Sequence, residues 1–201
     1  MWEVVDYIKN RILFFVGINI IIIFFNISVS TAVEDTYKLD PVHSSIVFRI
    51  KHLGISYVYG RFHSPEGVIK FDEGNPSNCF VEVTVKASDI DTENADRDNH
   101  LRSADFFDVE KFPRISFKSR DMKMIKDDLY EVAGDMKLHG VTRKILINIT
   151  RTGSGKDTWG GFRVGAETTF TIKRSDYGMT GMMGIVGDKV ELTISIEAVK
   201  N

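Results

Sequence analysis

The chain holds little that would staple or break it: one cysteine and four prolines in 201 residues. With Cys79 alone no internal disulfide can form, so the fold must rest on burial and hydrogen bonding. Its place in Cys79-Phe-Val-Glu-Val-Thr-Val-Lys86, on the face shared by Val81, Val83 and Val85, marks a small buried hydrophobe rather than a reactive thiol. Excess charge of either sign is also missing, with 26 lysines and arginines against 28 acidic residues. A net charge of −2 leaves no basic stripe of the kind that nucleic acids need. The sequence shows no internal repeat, no low-complexity tract and no linker rich in proline or serine.

Catalytic signatures are equally scarce. There is no Gly-x-Ser-x-Gly, and Cys79 lies in a strand pattern rather than at a sharp turn. No two of His43, His52, His63, His100 and His139 stand at a zinc-motif spacing, so only a fold that gathered distant residues would bind metal. Asp98 with His100, and Asp40 with His43, are spaced to act as acid and base, although such near neighbours more often tie a turn. Glycines 178, 181, 184 and 187 do not lead from a strand into a helix, as a phosphate-cradling loop requires. Met179, Met182 and Met183 in that stretch suit either the mouth of an apolar cavity or plain packing on the core.

What is present begins with the apolar run from Ile12 to Ile27, preceded by Lys9 and Arg11 and followed by the small residues of Ser28-Val-Ser30 and Ser30-Thr-Ala32. This is the pattern of a secretory signal over residues 1–32, and it predicts that the rest of the chain works beyond a membrane. The alternative is an uncleaved membrane anchor. The run is near the lower limit of a span, and Glu3 and Asp6 dilute its basic start. The remaining residues, 33–201, suffice for one domain.

Period-two alternation dominates that domain. Ile46, Phe48 and Ile50 oppose Val47, Arg49 and Lys51. Ile145, Ile147 and Ile149 oppose Lys144, Leu146 and Asn148. The series from Phe162 to Ile172 and from Val190 to Ala198 repeat the pattern. Turn signals at 72–76, 126–128 and 152–157 separate the runs, and short connections imply an antiparallel meander. About eight strands fit, the number at which a closed barrel holds one small ligand. Residues 92–101 lack glycine and proline and begin with a candidate cap, Thr92, predicting a short surface helix; Phe106 and Phe107 follow in a loop suited to plug an apolar opening. An interior made of the inward faces is lined by Ile, Val, Phe and Leu with almost no polar anchor, and it either packs solid or holds a greasy ligand. An acyl or isoprenoid chain gains about 0.8 kcal/mol per methylene buried.

Several separated stretches, in order, resemble the YceI family of polyisoprenoid-binding, lipocalin-like proteins. They are Leu39-Asp-Pro-Val-His-Ser-Ser-Ile-Val-Phe48, His52-Leu-Gly-Ile-Ser-Tyr-Val-Tyr-Gly-Arg-Phe62, the segment from Asp98 to Asp108 with Phe112-Pro113, Leu138-His-Gly-Val-Thr142, Arg174-Ser-Asp-Tyr-Gly178 and Val186-Gly-Asp-Lys-Val190. The resemblance implies an all-β, eight-stranded antiparallel barrel with a central apolar tunnel. It also implies periplasmic residence, and non-enzymatic binding, transport or storage of a long isoprenoid such as a polyprenyl phosphate or an isoprenoid quinone. It brings no catalytic residues, metal or cofactor beyond the bound lipid.

Carried onto this chain, the lining positions are Phe48, Ile50, Phe62, Val83, Val85, Ile115, Phe117, Ile147, Phe170, Leu192 and Ile194, with Arg97, His100 and Arg102 toward a head group. Expected partners are the lipid or quinone and not nucleic acid, with transient membrane contact and a homodimer left open. Two other readings stand beside this one: an enzyme acting on a lipid-linked or quinone substrate through Asp98 and His100, and a packed barrel that binds another envelope protein.

Overall fold

Alternating apolar and polar side chains can bury one face of a strand only if the sheet has an inside, and here the sheet closes on itself. The computed structural model describes residues 35–72 and 74–201; the expected signal, residues 1–32, lies outside them. The strands are β1 (Asp35–Leu39), β2 (Ser45–His52), β3 (Ser56–Phe62), β4 (Glu66–Phe71), β5 (Phe80–Lys86), β6 (Ile90–Asp91), β7 (Arg114–Lys126), β8 (Leu129–Leu138), β9 (Val141–Lys156), β10 (Phe162–Lys173) and β11 (Val186–Lys200). One helix, α1 (Ala95–Arg102), precedes β7.

The pairing order explains how these segments form an eight-stranded antiparallel barrel. β1 and β2 run along the same edge of β11, with Leu39 opposite Ala198 and Ser45 opposite Ser195, so together they make one interrupted strand. β3 and β4 likewise follow β2 and β1, pairing Phe62 with Ile46 and Val68 with Lys38. β5 and β6 lie along β4 and β3, pairing Val83 with Gly67 and Ile90 with Phe62. The ring then continues through β7, β8, β9, β10 and β11. The first break, after Leu39, is held by Asp40 N–H donating to the Glu197 carbonyl at 2.8 Å and Ser44 Oγ donating to the Asp40 carbonyl at 2.7 Å.

Two local expectations change. The glycines at 153 and 155 do not turn the chain: they lie inside β9, Gly153 opposite Gly165 next to a register shift, and the turn comes later, at residues 157–161. Glycine in a strand often marks such an irregularity, and here its flexibility serves the sheet's bend rather than a reversal. The helix begins later than Thr92 suggested, because Asn94 is its cap, accepting from Arg97 N–H at 2.9 Å. Thr92 is buried instead, its N–H and hydroxyl both donating to Asp98 Oδ1.

Packing divides the interior. Toward one end, Tyr37, Leu39, Ile69, Cys79, Val132, Val164 and Ala198 form a filled cluster. Cys79 is a buried free cysteine there, as the alternation indicated. Toward the other end, Phe106, Met136, Leu138, Ile172, Tyr177 and Met179 pack together beneath α1 and the loop after β10.

Candidate functional site

Between these two packed zones lies a cavity of about 330 Å³. That is toward the small end of the roughly 300–1,000 Å³ typical of small-molecule pockets. Every apolar lining position expected from alternation borders it, from Phe48 and Ile50 on β2 to Leu192 and Ile194 on β11. The reason is register: Phe48 faces Leu192 and Ile46 faces Ile194 across β2 and β11, while Val83 faces Phe117 and Val85 faces Ile115 across β5 and β7. Each such pair sits on the concave face, so one inward residue carries its cross-strand partner inward with it.

Side chains that periodicity could not assign complete the wall. Leu101 of α1 and Phe106 and Phe107 of the following loop border the cavity, as do Met179 and Met182 after β10. Met183 stays exposed and outside the lining. Phe62 meets Phe48 at a ring-centroid distance of 5.8 Å and Phe107 edge-on at 5.7 Å, which ties the loop to the barrel. On one side the wall is side chain rather than ladder: the β9–β10 pairing ends at Glu167 opposite Thr150, and Thr168 Oγ1 then donates to the Asn148 carbonyl at 2.7 Å. Beyond that point Ile147 and Phe170 lie on the cavity from strands that no longer pair there.

Polar groups border the cavity at α1 and also on the strands, at Lys51, His52, Ser116, Glu167 and Thr168. Arg97 and His100 border it, and Arg102 does not. Arg97 Nε and Nη2 donate to Thr92 Oγ1 and its carbonyl at 2.7 and 2.6 Å. His100 Nε2 lies 3.0 Å from Asp105 Oδ2. Arg102 turns away and donates to the carbonyls of Ser88 and Ile90, fastening the helix to the segment before it. Asp98 and His100 are not brought together as an acid–base pair, since Asp98 is occupied by Thr92 and His100 by Asp105.

Sequence reasoning missed Arg174, which also borders the cavity and is only 3% exposed. Its guanidinium donates to four carbonyls, those of Gly187, Met179, Gly181 and Val186, at 2.7 to 3.0 Å. Burial pushes its pKa down and nearby Asp188 opposes this. Asp188 itself is held below the usual carboxylate range, chiefly by the Ser175 N–H. The signal was visible only as the polar string Arg174-Ser-Asp inside a motif, because nothing local announces that an arginine will be wrapped in carbonyls.

Asp40 and His43 do meet, with Nδ1 2.8 Å from Oδ2, but at the break between β1 and β2, away from the cavity lining. Asp40, His43 and Glu197 offer ligand atoms within 4.8 Å of one another. Arg163 already supplies the cation, its Nη1 lying 2.8 Å from Asp40 Oδ2 and 2.6 Å from Glu197 Oε1.

Comparison with known proteins agrees with this geometry. A profile of the YceI-like domain matches residues 37–198. A UPF0312 protein of Photorhabdus laumondii is 42% identical over 176 residues, covering 87% of this chain and 91% of that protein. A UPF0312 protein of Pseudomonas aeruginosa is 42% identical, covering 84% and 89%. Among solved structures, the Campylobacter jejuni YCEI protein superposes with a TM-score of 0.68 at 31% identity, over 75% of this chain and 90% of that one. Burkholderia cenocepacia BcnA shares the fold at a TM-score of 0.73 and 19% identity, over 80% and 99%. A polyisoprenoid binding domain from Saccharophagus degradans shares it at 0.63 and 15%, over 82% and 98%.

Proposed function

This chain belongs to the YceI-like domain family, and on that premise we propose that it is a non-enzymatic binding protein for a long-chain isoprenoid lipid, a polyprenyl phosphate or an isoprenoid quinone, carried or stored in the periplasm. One observation carries the reading. The cavity wall is built mainly of apolar side chains, with Arg97 and His100 of α1 among the few polar ones that border it. An amphiphile with a long hydrocarbon tail matches that wall, its tail along Ile50, Phe117, Ile147 and Phe170 and its polar head toward Arg97 and His100. Burial of the tail supplies affinity at about 0.8 kcal/mol per methylene, with no catalytic group required. The polyisoprenoid binding domain of Saccharophagus degradans, which shares the barrel, supports the same ligand class.

Native mass spectrometry of the purified protein, followed by solvent extraction, tests the reading. A non-covalent mass of several hundred daltons that extracts as an isoprenoid is the expected result. An empty protein that also takes up no polyprenyl or quinone probe overturns it.

A further inference from the structure

Beyond the cargo, we propose that the α1 end of the barrel docks on an anionic lipid bilayer, with the β2–β3 hairpin tip and the loop before β11 dipping into the interface. Exposed large apolar side chains gather there: Leu53, Ile55 and Tyr57 on the hairpin, Met182, Met183 and Ile185 on the loop. Ile55 is 80% exposed. Leu53 N–H donates to the Ile185 carbonyl at 2.7 Å, so the two segments form one patch rather than two. The same segments reach the cavity, which Lys51, His52, Met182 and Val186 border, so the patch adjoins the cavity wall.

Charge selects the partner. Lys51 stands over the Tyr57 ring at 4.5 Å, and Lys173 faces Lys189 across β10 and β11. None of these three lysines has an ion pair among the described residues. Of the acidic side chains on β11 nearby, Glu191 is paired with Arg49, while Asp188, bonded to Ser175, keeps its charge near Arg174 and Lys173. An apolar patch beside unpaired lysines matches anionic head groups over acyl chains, with tyrosine at the interface.

The test places an environment-sensitive fluorophore on the full-length protein at Ile55→Cys or, at the opposite end, at Trp159→Cys; the native Cys79 is buried and does not compete for label. Vesicles of phosphatidylglycerol and phosphatidylethanolamine contain no isoprenoid, so the readout is independent of the cargo. A blue shift at position 55 and none at 159 is expected, and combining Lys51→Glu, Lys173→Glu and Lys189→Glu is expected to weaken the response about tenfold or more at low salt. No shift at position 55, or an equal shift at both ends, overturns the docking; the former would leave the patch to a protein partner. A response unchanged by the charge reversals overturns the anionic requirement.

Discussion

Gly134 on β8 makes room for the ring of Phe117 on β7: a Cβ at position 134 would stand 2.5 Å from two of its ring carbons. The carbonyl of Lys118 would be 2.7 Å away, so tilting the ring alone would not relieve the contact. Gly134→Ala is therefore expected to lose about 1–3 kcal/mol of stability, by the overpacking of a well-filled site. Because Phe117 borders the cavity, the variant should also hold less probe per molecule. Denaturant titration and a saturation assay with a quinone or polyprenyl probe check both halves; an unchanged midpoint would mean the neighbours yield more easily than this geometry indicates.

Val83→Arg and Ile147→Arg each place a charge on the largely apolar wall, where desolvating it is costly. Probe uptake is expected to vanish in both. A variant that remains folded by circular dichroism and still binds removes its position from the lipid-contacting wall.

Arg174→Met keeps an unbranched apolar stem and strips four carbonyls of their donor. The expected loss is about 2 kcal/mol or more, since unsatisfied buried acceptors cost roughly 1–3 kcal/mol each and only some will find water. Amide hydrogen exchange should accelerate first in residues 178–187, the loop and the first residues of β11 that carry those carbonyls. Uniform acceleration across the barrel would instead make Arg174 a global support.

Asp98→Ala separates a structural role from a catalytic one. The carboxylate holds Thr92 by two hydrogen bonds, so its removal is expected to lower stability by about 1–3 kcal/mol and loosen α1, while probe binding to the remaining folded protein persists. Turnover of a quinone or lipid-linked substrate by the native protein that the variant loses would restore the enzymatic reading.

The Arg163 cluster sets an acid limit. Asp40 is held well below the usual carboxylate range by hydrogen bonds from His43 and then Arg163, and Asp157 is held low chiefly by Arg163. Depressed carboxylate pKa values stabilise the fold above the unfolded pKa near 4, and that contribution fades as pH falls through the lower folded values. Arg163→Met is thus expected to reduce stability at neutral pH and to flatten its decline below about pH 4. Thermal melts at pH 7 and pH 3 for both proteins measure this, and parallel pH profiles would refute it.

Much of the barrel was legible beforehand, and the particular residues show why. Val190, Leu192, Ile194, Ile196 and Ala198 alternate without interruption, and each occupies the inner face of β11. A side-chain period of two admits only one inward set once a sheet closes. Gly153 and Gly155 misled because glycine marks a turn and a strand irregularity alike, and only pairing partners distinguish the two. Arg102 was grouped with Arg97 and His100 because they share a helix, yet its direction is decided by the carbonyls of Ser88 and Ile90, which no spacing reveals.

By itself, the order of apolar and polar residues determined the strands, their inward faces and the apolar wall, because those follow from local geometry repeated along the chain. The tertiary structure decided where the interior stays hollow, which polar side chains reach it, and how Arg174 braces its rim. Those outcomes depend on residues far apart in sequence meeting at particular distances. Hydrogen bonds reward such meetings only once the barrel has closed, so no single segment encodes them.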